Sequence, residues 1–215
     1  MNDSAPELQL SVHALCLARG PKRLFADLNW QLNAGQAMIL RGANGSGKTS
    51  LLRVLAGLTA ADAGEVRWRN QRWSPLCNAQ RESSLYLGHA NALKGELSAD
   101  ENLIDALAFD GIEPDAAARA AALDAAGLNG RHHLPTRRLS QGQQRRVGLA
   151  RLALSRKPLW LLDEPTNALD IDGVALFTGL LEAHLRDGGL ACVATHLPLM
   201  VSATIRELSL GGSAA

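Results

Sequence analysis

Residues 42–49 read Gly-Ala-Asn-Gly-Ser-Gly-Lys-Thr and satisfy G-x-x-x-x-G-K-[ST] at every fixed position. Few eight-residue stretches constrain a fold as tightly. The glycines let successive backbone N–H groups turn into one concavity, where triphosphate oxygens can replace water as acceptors. Lys48 is then placed to reach the β and γ phosphates, and Thr49 to offer a hydroxyl to Mg²⁺. The following helix aims the positive end of its dipole at the same anions. Such a loop needs a strand before it and a helix after it. Residues 37–40 (Ala-Met-Ile-Leu) read as a buried strand, and residues 50–56 as a helix stopped at Gly57.

The chain has 215 residues, 47% of them hydrophobic, which suffices for one good core with a small subdomain and not for two ordinary nucleotide-binding domains. A single domain over residues 1–215 is expected. The formal charge is +1 without a long basic run, so nothing points to a nucleic-acid partner. Cys16, Cys77 and Cys192 are odd in number and scattered, a pattern of reduced thiols rather than of a disulfide framework or zinc site. Residues 1–7 lack the basic and apolar regions of a signal peptide, and no apolar run approaches the roughly 18 residues of a membrane span. Any membrane served by this chain is expected to be crossed by another protein.

Two early runs, residues 8–17 and 24–32, alternate like half-buried strands and are expected to pair as antiparallel edge strands around a turn at Arg19-Gly20-Pro21-Lys22. Asp62-Ala63-Gly64 reads as a turn, residues 65–68 as a strand, and Arg69-Asn70-Gln71 as a hairpin connection; Trp68 and Trp73 read as packing residues. Residues 84–87 form a buried strand ending at Gly88-His89. Helices are expected from Asp100 to Phe109 and, alanine-rich, from Pro114 to Gly127. His132 and His133 follow in a loop, without partners at ligand spacing, and are expected to be solvated. A helix opens at Leu139-Ser140-Gln141-Gly142-Gln143 and runs to about Ser155. Residues 159–162 are an unbroken apolar strand ending in Asp163-Glu164, the pattern of a parallel sheet covered on both faces. A helix from Val174 to Arg186, a buried strand at residues 191–195 ending at His196, a last strand at 204–210, and a frayed tail complete the chain.

Several buried strands thus end in chemistry: one in the P-loop, one in Asp163-Glu164, one in His196 and one in His89. With Leu-Ser-Gln-Gly-Gln placed before the carboxylate strand, the chain resembles the nucleotide-binding domain of ATP-binding cassette (ABC) ATPases over nearly its whole length. The resemblance implies an α/β P-loop NTPase core with an antiparallel β-subdomain and an α-helical subdomain at about residues 89–157. It implies ATP held by Gly42, Ala43, Asn44, Gly45, Ser46, Gly47, Lys48, Thr49 and Ser50, with Mg²⁺ at Thr49 and Asp163. Glu164 would polarise the attacking water, and His196 would bond the γ phosphate, so Glu164, His196 and Lys48 are the catalytic candidates. Ser140 and Gly142 would complete the site of a second copy, which implies a head-to-tail homodimer whose seam passes Asp170.

Two positions depart from the family. His89 stands where most members carry glutamine as a metal and phosphate contact, and its imidazole is shorter and titratable. Arg19 stands where an aromatic ring usually stacks on adenine; its guanidinium can stack likewise or remain solvated. The runs Tyr86-Leu87-Gly88-His89, residues 93–97, Glu101-Asn102-Leu103, residues 143–146 and residues 149–152 are similar to the ATP-binding proteins of the bacterial cytochrome c maturation (Ccm) system. That subgroup implies a peripheral subunit at the cytoplasmic face of the inner membrane, coupled to an integral membrane permease and driving haem export or release of a haem-loaded chaperone. No direct haem site is evident in the chain. The alternatives are a cassette for another cargo, a soluble ABC protein of chromosomes or ribosomes, against which the compact single cassette weighs, and an ATP-responsive switch, against which Glu164 and His196 weigh.

Overall fold

Every residue of β7 (Leu159–Asp163) and of β8 (Leu190–Ala194) is buried, without alternation. A strand can be apolar on both faces only where both are covered, and in this computed structural model they are. Leu159 and Leu161 point with Met38 and Leu40 toward α1 (Lys48–Leu55), while Trp160 and Leu162 point toward Phe177 and Leu181 of α6 (Ile171–Arg186). The sheet has five parallel strands in the order β6 (Ser84–Leu87), β7, β8, β3 (Gln36–Arg41), β9 (Thr204–Ser209). Each buried leucine contributes about 1.5–3 kcal/mol of transfer free energy. Because all five strands run the same way, the residues following β3, β6, β7 and β8 emerge at one edge.

The structure describes residues 9–73, 78–89, 91–113 and 115–211. The expectations at residues 1–8, Cys77, Pro114 and the tail 212–215 lie outside them.

A second sheet is antiparallel, ordered β2 (Lys22–Asn33), β1 (Gln9–Arg19), β4 (Ala63–Trp68), β5 (Gln71–Arg72). β1 is therefore an interior strand and not the edge expected from its alternation, since its second flank pairs with β4. Ala63 and Gly64, expected with Asp62 in a turn, are instead the start of β4. Gly64, at φ +83°, passes so close to the β1 bulge at Ala14 that a Cβ would overlap the Ala14 carbonyl. Arg69 and Asn70, both with positive φ, make the hairpin alone, and Gln71 already belongs to β5. Trp68 and Trp73 stack with ring centroids 5.3 Å apart, as packing residues should.

Between β6 and β7 the chain builds a helical layer from α3 (Ala99–Phe109), α4 (Ala116–Ala125) and α5 (Gln141–Leu154), preceded by the short α2 (Asn78–Ser83). Ser98 and Glu101 form a capping box on α3, and Ser140 and Gln143 form one on α5, each satisfying two orphan N–H groups. Leu103, Leu107, Leu123, Leu128 and Val147 make the layer's own core. Arg119 reaches Asp100 at 2.8 Å and Arg151 reaches Asp110 at 2.8 Å, joining α4 and α5 to α3. His132, expected in solvent, is partly buried with Nε2 2.8 Å from an Asp124 carboxylate oxygen, because the loop folds back on α4. α6 begins three residues earlier than its apolar period suggests, since Asp170 caps it through the Gly173 N–H.

Candidate nucleotide site

The P-loop joins β3 to α1 at the carboxyl edge of the parallel sheet. Gly47 takes φ +108° at the N-cap of α1, and Gly42 takes φ +140°. A Cβ on Gly42 would overlap the Leu210 carbonyl oxygen and stand 2.6 Å from Ser46 Oγ, so the loop is as narrow as glycine allows. Lys48 is buried, its ammonium donating to the carbonyl oxygens of Gly42 at 2.7 Å and Ala43 at 3.2 Å. The Thr49 hydroxyl donates to Asp163 Oδ2 at 2.8 Å, which ties the first turn of α1 to the end of β7. Asp163 is 1% exposed.

Glu164 follows, with φ +49°. A glutamate held in the left-handed region costs about 1–3 kcal/mol and persists only where its surroundings impose it. Its N–H donates to Ala194 O at 2.8 Å, extending the β7–β8 pairing by one step, and its carboxylate lies 3.3 Å from His196 Nε2. A concavity of about 750 Å³ is bounded by Arg19, Asn44, Gly45, Gly47, Lys48, Thr49, Ser50, His89, Asp163, Glu164 and His196. Ala43 and Ser46 border a neighbouring one of about 310 Å³. The Ser46 hydroxyl, though buried, has no hydrogen-bond partner, a polar atom turned into the loop that an incoming acceptor or donor would satisfy.

Ser140 and Gly142 share no wall with this concavity. They border another, together with Gly127, Arg146, Ala168 and Asp170. Arg146 joins Asp170 there, and Asp170 is held below the usual carboxylate range first by the Gly173 N–H and then by Arg146. The start of α5 at Ser140 and Gly142 thus borders a different concavity from the one at the P-loop of the same chain.

Sequence reading missed three residues. Lys22 donates to Gly45 O at 3.0 Å, and Asn167 lines the wall after the carboxylates. The third is Arg145, 2% exposed on the inner face of α5. Its Nη2 donates to the carbonyl oxygens of Asp163 (2.8 Å) and Glu164 (2.5 Å), Nε to Pro165 O (3.1 Å), and Nη1 to Gly88 O (2.9 Å) and Asn91 Oδ1 (3.3 Å). Burial pushes its guanidinium down from the ordinary value, while Asp163 and Glu164 pull it back up. A cation on the same face as Leu149 and Leu152 was the available signal.

Comparison with known proteins agrees with this geometry. The ABC transporter family model matches residues 25–167. The cytochrome c biogenesis ATP-binding export protein CcmA of Rhodopseudomonas palustris is 49% identical over 207 residues, covering 96% of this chain and 100% of that protein. Its counterpart in Dechloromonas aromatica is 46% identical over 196 residues, covering 90% and 95%. Among solved structures, a dimeric bacterial ABC transporter cassette superposes with a TM-score of 0.79 at 24% identity, covering 93% of this chain and 94% of that one. The chain therefore belongs to the ABC transporter family as one of its ATPase subunits, in the group of cytochrome c biogenesis ATP-binding export proteins.

Proposed function

We propose that this chain binds ATP in the P-loop concavity and hydrolyses it to drive an export step of cytochrome c biogenesis. The observation that carries the reading is the convergence of Lys48, the Thr49–Asp163 pair and the Glu164–His196 pair on one wall. P-loop N–H groups and Lys48 bind the phosphates. Thr49 and Asp163 offer hard oxygen donors, the set that suits Mg²⁺ when phosphate and water complete its shell. When bound, that ion neutralises charge developing on the transferred phosphoryl group. Glu164 accepts a hydrogen bond from the attacking water and polarises it, while His196 steadies the Glu164 carboxylate and contacts the γ phosphate. His89 reaches the same shell from the end of β6, and Arg19 borders the concavity on the side open to the base.

Two copies act together. In this reading Ser140 and Gly142 of one copy donate to the γ phosphate held by the other, with α5 presenting its positive end. No helix among the described residues is long and apolar enough to cross a membrane, so transport requires an integral membrane permease. A cleft of about 750 Å³ between the sheet and the helical layer, fringed by the exposed Leu58 and Phe109, is where we place its contact. The cargo is haem or a haem-loaded chaperone, and the chain sits peripherally on the cytoplasmic face of the inner membrane. The relatives' export and cytochrome c biogenesis names support this. The test is a pull-down from detergent-solubilised membranes followed by assays for Mg²⁺-dependent phosphate release and for haem. Co-purification of a permease with ATP-dependent haem release is expected; a permease that carries no haem would assign another cargo.

A further inference from the structure

Among the described residues the buried Arg145 makes no direct ion pair: its five hydrogen bonds go to four carbonyl oxygens and one amide oxygen. Burying a charge is costly, and the nearby Asp163 and Glu164 charges offset only part of that, so its presence has to be sought in what the acceptors have in common. Three of them belong to consecutive residues, Asp163, Glu164 and Pro165, at the turn that leaves β7. The carbonyls of Asp163 and Glu164 lie in the two peptide planes that flank the Glu164 Cα. Fixing both planes fixes φ and ψ of Glu164, and both are held by the same nitrogen, Nη2. Glu164 is also the turn residue in the left-handed region, where an unheld glutamate would relax by rotating one of those planes. The remaining bonds, from Nη1, go to Gly88 and Asn91, on either side of the segment carrying His89.

We infer that Arg145 is a positioning residue for hydrolysis: its planar guanidinium sets the backbone of Glu164 so that the carboxylate faces the attacking water, and fastens that turn to the His89 segment. The inference rests on Glu164 being the group that polarises water. Lysine in its place keeps the charge but is a point donor without the planar fork, so it cannot hold the two flanking carbonyls and Pro165 together. The carboxylate then samples orientations away from the water while the phosphate cradle, built on another strand, is untouched.

The experiment measures single-turnover phosphate release and the KM for ATP in Arg145→Lys, and in Arg145→Gln should the lysine variant fail to fold, each alone and combined with Glu164→Gln. Arg145→Lys alone is expected to lower kcat about 10- to 100-fold, the usual cost of a misplaced reacting group. Its KM should stay within about twofold, because ground-state binding is retained. On the Glu164→Gln background the same substitution should change the residual rate by less than about twofold, since its route of action is gone. An equal loss on both backgrounds, or a raised KM with unchanged kcat, overturns the positioning role. Full turnover in Glu164→Gln alone is a different result: it removes the base on which the inference depends.

Discussion

Two of the concavities on this molecule, each of about 750 Å³, are made differently. The P-loop concavity is shaped largely by backbone: glycine turns, helix N–H groups and strand ends, with a few charged side chains aimed inward. The cleft between sheet and helical layer is shaped by side chains from α2, β6, α3 and α5, with Leu58, Tyr86, Leu103 and Phe109 prominent on its wall. A backbone-built site tolerates almost no change at the glycines that shape it, because its geometry is the chain path itself. A side-chain-built cleft can be re-lined without moving the fold. The first suits a ligand that never varies, a nucleotide, and the second a protein partner that differs from system to system.

Substitutions should therefore separate the two regions. The largest effect is expected from Glu164→Gln, which should lower turnover about 10²- to 10⁴-fold, the range for loss of a general base, while nucleotide binding persists. A fluorescent ATP analogue and phosphate release read the two properties, and undiminished turnover would take the base away from Glu164. Next comes the pairing of copies. Lys48→Ala and Ser140→Arg should each prevent ATP-dependent dimerisation, and mixing them should restore part of it, because one of the two mixed sites then carries both native halves. Sedimentation decides this, and dimerisation of each variant alone as strong as that of the native chain would exclude a shared site.

The cleft should respond in another way. Phe109 is 66% exposed, with the Arg81 guanidinium 5.5 Å from its ring centroid. Phe109→Asp should weaken capture of the permease by about 10-fold, roughly one lost apolar anchor, with basal hydrolysis unchanged. If basal hydrolysis fell in step, the two concavities would not be separable. The smallest effect belongs to neither. His184 stacks on Trp160 at 3.9 Å, and burial there holds its pKa below the ordinary 6.5, against the opposing pull of the Leu190 carbonyl and Asp187. As pH falls below 6.5 the unfolded chain takes up a proton that the folded chain resists, so stability falls with it. His184→Gln should flatten that decline by less than about 1 kcal/mol, read as the dependence of the melting midpoint on pH.

The same contrast explains what could be read from the residues. The loop at 42–49, the unbroken apolar strand before Asp163 and the helix opening at Leu139-Ser140-Gln141-Gly142-Gln143 are contiguous, so local sequence carries them. Arg145 belongs to a readable motif but its task is invisible there, because its partners Gly88, Asn91 and Asp163 reach it only through the fold. Gly64 reads as a turn because glycine marks both turns and close crossings, and only the Ala14 bulge tells which. β1 reads as an edge strand because alternation shows that one face is covered but not how many neighbours a strand has. The apolar period of α6 begins inside the first turn, whereas Asp170 sets the boundary.

β3 delivers the P-loop, yet among the described residues its strand neighbours are β8 and β9 alone, and the Leu210 N–H bonds Arg41 O beside the loop. During synthesis, then, the motif leaves the ribosome long before anything exists for its strand to pair with. An apolar segment, Ala37-Met38-Ile39-Leu40, must wait uncovered until residues near 190 and 205 emerge, the situation in which nascent chains need chaperones most. The nucleotide cradle, early in the gene, is among the last parts of the protein to be finished.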